Sequence, residues 1–219
     1  MSTRIVSFIR AKFGKSAARE RDLERRYRYI RGTLDVAGAR AELGKIENAG
    51  LRNLLGQLDD LDVIIGADSV LSPVLAMAQP RLAMTIVIPK RRPLIWLNLV
   101  KHCGRPAALV DTLAHEAIHT TVLMLGRLPR TPQPEEEIAY HAEEIVALTG
   151  ANHILTEIKF PAKQQVVQNL AAIENHKTLL TQLGCSEEFL RSKADEGAAA
   201  KAFLMDHLIK MPTSTDLSF

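Results

Sequence analysis

The sequence predicts an α+β fold that is mainly helical, and three observations predict it. Apolar residues recur at three-and-four spacing through residues 20–61 and again through 107–125, 135–148, 161–183 and 186–211, the period of amphipathic helices. Two runs between them, 82–88 and 93–99, are instead rich in β-branched and apolar residues and flank the turn-like Pro89-Lys90-Arg91-Arg92-Pro93, which reads as a small sheet. No internal repeat or low-complexity linker divides the chain, and 47% hydrophobic content over 219 residues supports a real interior. One compact domain is expected, described as a basic helical region (1–61), a core (62–150) and C-terminal helices packed on it (151–219).

Residues 1–31 hold ten Lys or Arg against three Asp or Glu, a local +7 that leaves −4 for the rest of the +3 chain. Ile5, Val6, Ile9 and Phe13 form an apolar stripe flanked by Arg4, Arg10, Lys12 and Lys15. Such a segment docks on its own domain as a solvated helix, or reaches an anionic partner, a membrane surface or nucleic acid. Arg10 and Lys12 break the apolar run before it reaches the length of a secretory h-region, and no stretch of about 18 apolar residues exists. The expectation is a cytoplasmic protein without a transmembrane segment, although export without a cleaved signal leaves the same pattern.

Leu23, Tyr27, Ile30 and Leu34, then Ala41, Leu43 and Ile46, then Leu51, Leu54, Leu55 and Leu58 mark two or three helices. Asp62-Val63-Ile64-Ile65-Gly66 reads as a short buried strand, and residues 69–77 as a short helix ending before Pro80. The two strands of the small sheet follow. Of the two cysteines, Cys103 and Cys185, neither belongs to a C-x-x-C, so a disulfide scaffold is not expected and Cys103 reads as a free buried thiol.

Pro106 can open a helix after Gly104, and Gly126 can close it. At its middle stands His115-Glu116-Ala117-Ile118-His119, among the apolar residues Leu109, Leu113, Val122 and Leu125. Residues four apart lie one above the other on a helix, so both imidazoles can aim a ring nitrogen at one ion about 2.0–2.1 Å away. Glu116, about 100° around the helix, sits near the ion without ligating it, where a carboxylate can take a proton from water that the metal has activated. A buried trio of this kind without a metal costs several kcal/mol unless other polar groups satisfy it.

A catalytic zinc needs a third protein ligand. The Pro-rich connection 126–134 leads to Glu135-Glu136-Glu137, which open a helix expected to run to about residue 148 and close at Gly150. The stripe Ile138, Ala142, Ile145 and Thr149 projects back onto Glu135. Here the chain resembles the zincin metallopeptidases of the gluzincin type, in which H-E-x-x-H is followed on a later helix by a Glu ligand, often as E-x-x-A. Glu136-Glu137-Ile138-Ala139 fits that pattern, with sixteen residues separating His119 from Glu136, and the stretch after the Pro-rich loop looks somewhat like bacterial effector-type zinc peptidases. The resemblance covers about residues 109–146.

It implies Zn2+ held by His115, His119 and Glu136, with Glu116 as the catalytic base, in a zincin-like core whose small sheet packs against the H-E-x-x-H helix. Acidic residues in a first turn also simply complement the helix dipole, so Glu135 and Glu137 stay open as alternatives. Tyr140, His141 and Glu143 follow on the same helix as candidate supports of the ligands; Tyr140 and His141, with Arg127 and Arg130, are candidate oxyanion donors, and each is equally an ordinary packing or surface residue. The resemblance also implies an edge strand that pairs with an extended substrate, which would turn residues 96–99 toward it; a core strand with Trp96 packed inside is the other reading. Asp111, four before His115, reads as an early-helix charge.

Residues 161–183 and 186–211 read as two long helices, the second capped by Ser186 with Glu187 and Glu188 in its first turn, and 213–219 as a loose tail. The expected function is zinc-dependent hydrolysis of amide bonds in a peptide or protein. A non-enzymatic helical adaptor that uses the basic N-terminal segment, with a structural metal or none, is the alternative.

Overall fold

The computed structural model describes residues 17–68, 82–88, 90–126 and 136–206. The stripe from Ile5 to Phe13, the helix expected over 69–77, Glu135 with Arg127 and Arg130, and the tail lie outside those residues. In chain order the elements are α1 (Ala17–Thr33), β1 (Leu34–Asp35), α2 (Val36–Gly44), α3 (Ala49–Asp60), β2 (Ile64–Asp68), β3 (Ala83–Ile86), β4 (Leu94–Leu97), α4 (Leu99–His102), α5 (Pro106–Met124), α6 (Glu136–Glu157), α7 (Lys163–Gln182) and α8 (Glu187–Asp206). The fold is α+β and mainly helical, as expected. Among the described residues no helix is long and apolar enough to cross a membrane.

The sheet has the order β1-β2-β4-β3, with β2 and β4 parallel and the outer pairings antiparallel. Alternation along its strands sends residues to two covered faces. Ala83, Ile65, Ile95 and Leu97 enter the main core with Leu109, Leu113 and Ile118 of α5. Ile64, Met84, Ile86, Leu94 and Trp96 face the other way and pack with Tyr27 of α1, whose hydroxyl donates to the Arg92 carbonyl at 2.8 Å. A sheet covered on both faces explains why these strands read as continuous apolar runs.

This arrangement corrects the substrate-facing role considered for residues 96–99. β4 is bonded on both sides, to β2 and β3, so its backbone has no free ladder to offer. Trp96 is packed on the face away from α5, and 98–99 turn into α4, whose first turn Asn98 caps by accepting from Lys101 N at 3.3 Å.

α5 begins with Pro106 in its first turn and ends before Gly126, whose φ of 63° suits a residue without a Cβ. Every residue from Leu109 to Val122 is buried. α6 packs along it and is longer than the sequence suggests, because Gly150 does not end it. A Cβ on Gly150 would stand 2.7 Å from Ile118 Cδ1, and one on Gly197 of α8 would stand 2.4 Å from the Val146 carbonyl oxygen. The two glycines let three helices approach closely, so Gly150 serves packing inside a helix, not its termination.

α7 and α8 complete the helical layer. Ser186 caps α8 as expected, its Oγ accepting from Phe189 N at 3.2 Å. The main core continues into Ala200 and Leu204 of α8, and Gln57 of α3 donates to the Met205 carbonyl at 3.1 Å, tying α8 to α3. Cys103 is free but exposed in the turn after α4, which corrects the buried placement; Cys185 is also free.

Candidate metal centre

The helical period does what the spacing promised: His115 Nε2 and His119 Nε2 lie 3.1 Å apart, with the rings edge to face and both residues buried. The carboxylate that meets them is Glu144, on α6. Its oxygens lie 3.9 Å from His115 Nε2 and 4.0 Å from His119 Nε2, and it too is buried. The ligand atoms of the three residues all fall within 4.8 Å of one another, a group that could hold a metal ion. Two imidazole nitrogens and one carboxylate oxygen are a combination of donors that zinc sites use.

Glu136, the ligand expected from the resemblance, is the first residue of α6, two turns or about 12 Å up the helix from Glu144. Its side chain lies outside the described residues, as Glu135 does entirely; Glu137 is exposed. α6 buries two faces. Ala142, Ile145 and Leu148, with Ile138 at its edge, pack against α7 and α8, while Val146, Ala147, Ala151 and Ile154 pack in the core with α5. The apolar stripe read from the sequence was the first of these, and Glu144 belongs to the second. The signal that finds it is the spacing Glu144, Ala147, Ala151, one face whose small residues let α5 come close.

Glu116 projects from α5 toward the sheet and is wholly buried. Thr85 of β3 donates from Oγ1 to Glu116 Oε2 at 2.6 Å, while Oε1 is buried without a hydrogen-bond partner among the described residues. Burial pushes the Glu116 carboxyl up to about 7, and the Thr85 bond pulls it the other way. Burial pushes His119 down to about 4, so at neutral pH its imidazole is uncharged and can act as a ligand. Thr85 was missed in the sequence; its signal is a polar side chain at an inward position of an apolar strand. Thr120 bonds back to the Glu116 carbonyl at 2.8 Å, which satisfies a second polar group of the same turn.

No family model matches the chain, and neither a curated protein nor a solved structure matches it. The chemistry of the donor set is therefore what bears on function.

Around the centre, Asp111 is fully buried and accepts from Asn169 Nδ2 at 2.7 Å, and Asn169 also donates to Asn152 Oδ1 at 2.9 Å. Asp111 is thus a joint between α5, α6 and α7, more than an early-helix charge. Tyr140 is one turn before Glu144; burial, and then the Glu144 charge, raise its phenol above the ordinary value, which keeps the O–H a donor. His141 faces α7, where its Nδ1 lies 2.8 Å from His176 Nδ1. Glu143 is buried beside these residues.

Proposed function

We propose that the protein is a zinc-dependent metallopeptidase acting on amide bonds of a peptide or protein. The observation that carries this reading is the buried convergence of His115, His119 and Glu144, with the Glu116 carboxylate on the next position of the same helix. Nitrogen-rich, three-ligand coordination suits Zn2+ and disfavours Ca2+ or Mg2+, which take mostly oxygen ligands. Two uncharged imidazoles and one carboxylate would hold the ion; when bound it supplies Lewis-acid polarisation of the carbonyl and a lowered pKa for water.

The chain's own residues supply the rest. Glu116, with a carboxyl near 7, is poised to accept a proton from the attacking water and to pass it to the leaving amine. Thr85 fixes that carboxylate from the sheet side through Oε2, which leaves Oε1 as the oxygen that would take the proton. Tyr140 is the best-placed donor for a developing oxyanion, being protonated, 40% exposed and one turn from Glu144. The amide substrate class rests on the likeness of the H-E-x-x-H helix and its glutamate-bearing partner helix to zincins.

The test is cleavage of an unfolded protein by the zinc-loaded enzyme beside Glu116→Gln. The variant should retain zinc and lose about 10²–10⁴ in turnover, the worth of a general base. Turnover preserved in Glu116→Gln removes the base, and no cleavage of any peptide by the loaded wild type removes the peptidase reading.

A further inference from the structure

A second pair of histidines lies outside the centre described above. His141 on α6 and His176 on α7 face each other through their Nδ1 atoms at 2.8 Å, with ring centroids 5.0 Å apart. Two ligands about 2.0–2.1 Å from one ion, at 90–110°, stand roughly 2.9–3.3 Å apart, so a hydrogen-bonded pair at 2.8 Å needs to open by only a few tenths of an ångström to share a cation. The His115–His119 pair shows nearly the same spacing at 3.1 Å.

We propose that His141 and His176 form a second metal site, taking a borderline divalent cation such as Zn2+ or Cu2+ through their two Nδ1 atoms, the remaining positions being filled by water. Imidazole ligands favour this class over Mg2+ or Ca2+, and Cu2+ binds most tightly along the first-row series. The site is built on two packed helices, so the spacing is set by the helix contact and does not depend on a loop.

Three further observations support it. The Glu137 carboxylate stands 4.0 Å from His141 Nε2, the nitrogen facing away from His176. At that distance it is a charge contact and not a hydrogen bond, and a negative charge on that side favours the Nε2–H tautomer, which leaves the Nδ1 lone pair facing His176. Burial, aided by the neighbouring His141, pushes His176 down to about 4, and burial lowers His141 as well, so both rings are neutral at physiological pH. Tyr140 packs edge-on to both rings, with centroids 5.2 Å and 6.1 Å away, and holds them in place.

Without a cation one Nδ1 must donate to the other. Whichever ring donates, binding moves that proton to the same ring's Nε2 by tautomerisation, so no charge is lost from the protein. The site needs neither His115, His119 nor Glu144, and its existence is independent of the peptidase reading.

The test is titration of the metal-free full chain with Zn2+, and separately Cu2+, for the wild type, His176→Gln, His141→Gln and His115→Ala. Wild type should bind two equivalents of Zn2+ in distinguishable classes. Each His141 or His176 variant should lose the weaker class by at least tenfold in affinity and keep the tighter; His115→Ala should do the reverse. Imidazole resonances of His141 and His176 in the wild type should shift with the second equivalent, a readout independent of how the variants fold. A weaker class unchanged in both Gln variants, or no shift of those two rings up to millimolar Zn2+, overturns the proposal.

Discussion

The two histidine pairs differ in what surrounds them. His115 and His119 share one helix, are 2% and 3% exposed, and meet a buried carboxylate from a second helix. His141 and His176 come from two helices, and Glu137, whose carboxylate stands 4.0 Å from the outer nitrogen of His141, is exposed. Imidazole spacing alone is nearly equal in the two places. What sets the first pair apart is the third donor, and the polar pairs on the same helix, Thr85 on Glu116 and Asn169 on Asp111, on which the proposed activity would depend.

That contrast can be broken most severely by exchanging losses between the pairs. His119→Ala should lower kcat/KM by a factor of about 10³ or more, since it removes a metal ligand, while His176→Ala should cost less than about tenfold. Equal losses in a peptide-cleavage assay would erase the distinction.

The next effect is on stability in the metal-free protein. The folded-state pKa of Glu116 is raised to about 7, so its contribution is fully present below the unfolded value near 4.5 and is lost as pH rises through about 7. Between those limits the shift corresponds to about 3 kcal/mol. Denaturant unfolding of the apoprotein and of Glu116→Gln at pH 5 and pH 8 should show the fall as the difference between the two proteins, because the His119 contribution is common to both. His119 acts in the opposite sense: its lowered pKa gives a contribution present above about 6.5 and lost as pH falls through about 4, so from about 4.5 to 6.5 the two slopes oppose and only variants lacking one group separate them.

Smaller is the effect of Thr85→Val. The Thr85 hydrogen bond favours the charged form of Glu116, so its loss should move the acid limb of kcat/KM upward by about one pH unit, the worth of a hydrogen bond to a charged group. An unmoved limb would detach Thr85 from the base. Gly197→Ala probes only the scaffold: the new methyl meets the Val146 carbonyl, and overpacking of about 1–3 kcal/mol should lower the melting temperature with little change in pH profile.

The sequence was informative where one periodicity decided the matter. The α5 helix, the convergence of His115 and His119, and the Ser186 cap follow from spacing and local chemistry. It was less informative where two partners were needed. α6 is apolar on two faces, so its stripe did not say which face met α5, and Glu144 was passed over for the glutamates at the helix start. Gly150 looks like a stop until Ile118 and Gly197 are placed against it. The position of Trp96 depended on strand order, with β3 outside β4, and Thr85 gained meaning only once β3 lay over Glu116. None of these is written in a single element.

The central claim is that Glu144 closes the coordination begun by His115 and His119. Zinc retained per chain after dialysis, measured for the wild type, Glu144→Ala and Glu136→Ala, tests it most directly. We expect about one tightly held equivalent in the wild type and in Glu136→Ala, and its loss in Glu144→Ala. Retention in Glu144→Ala with loss in Glu136→Ala, or no zinc in the wild type, would contradict it.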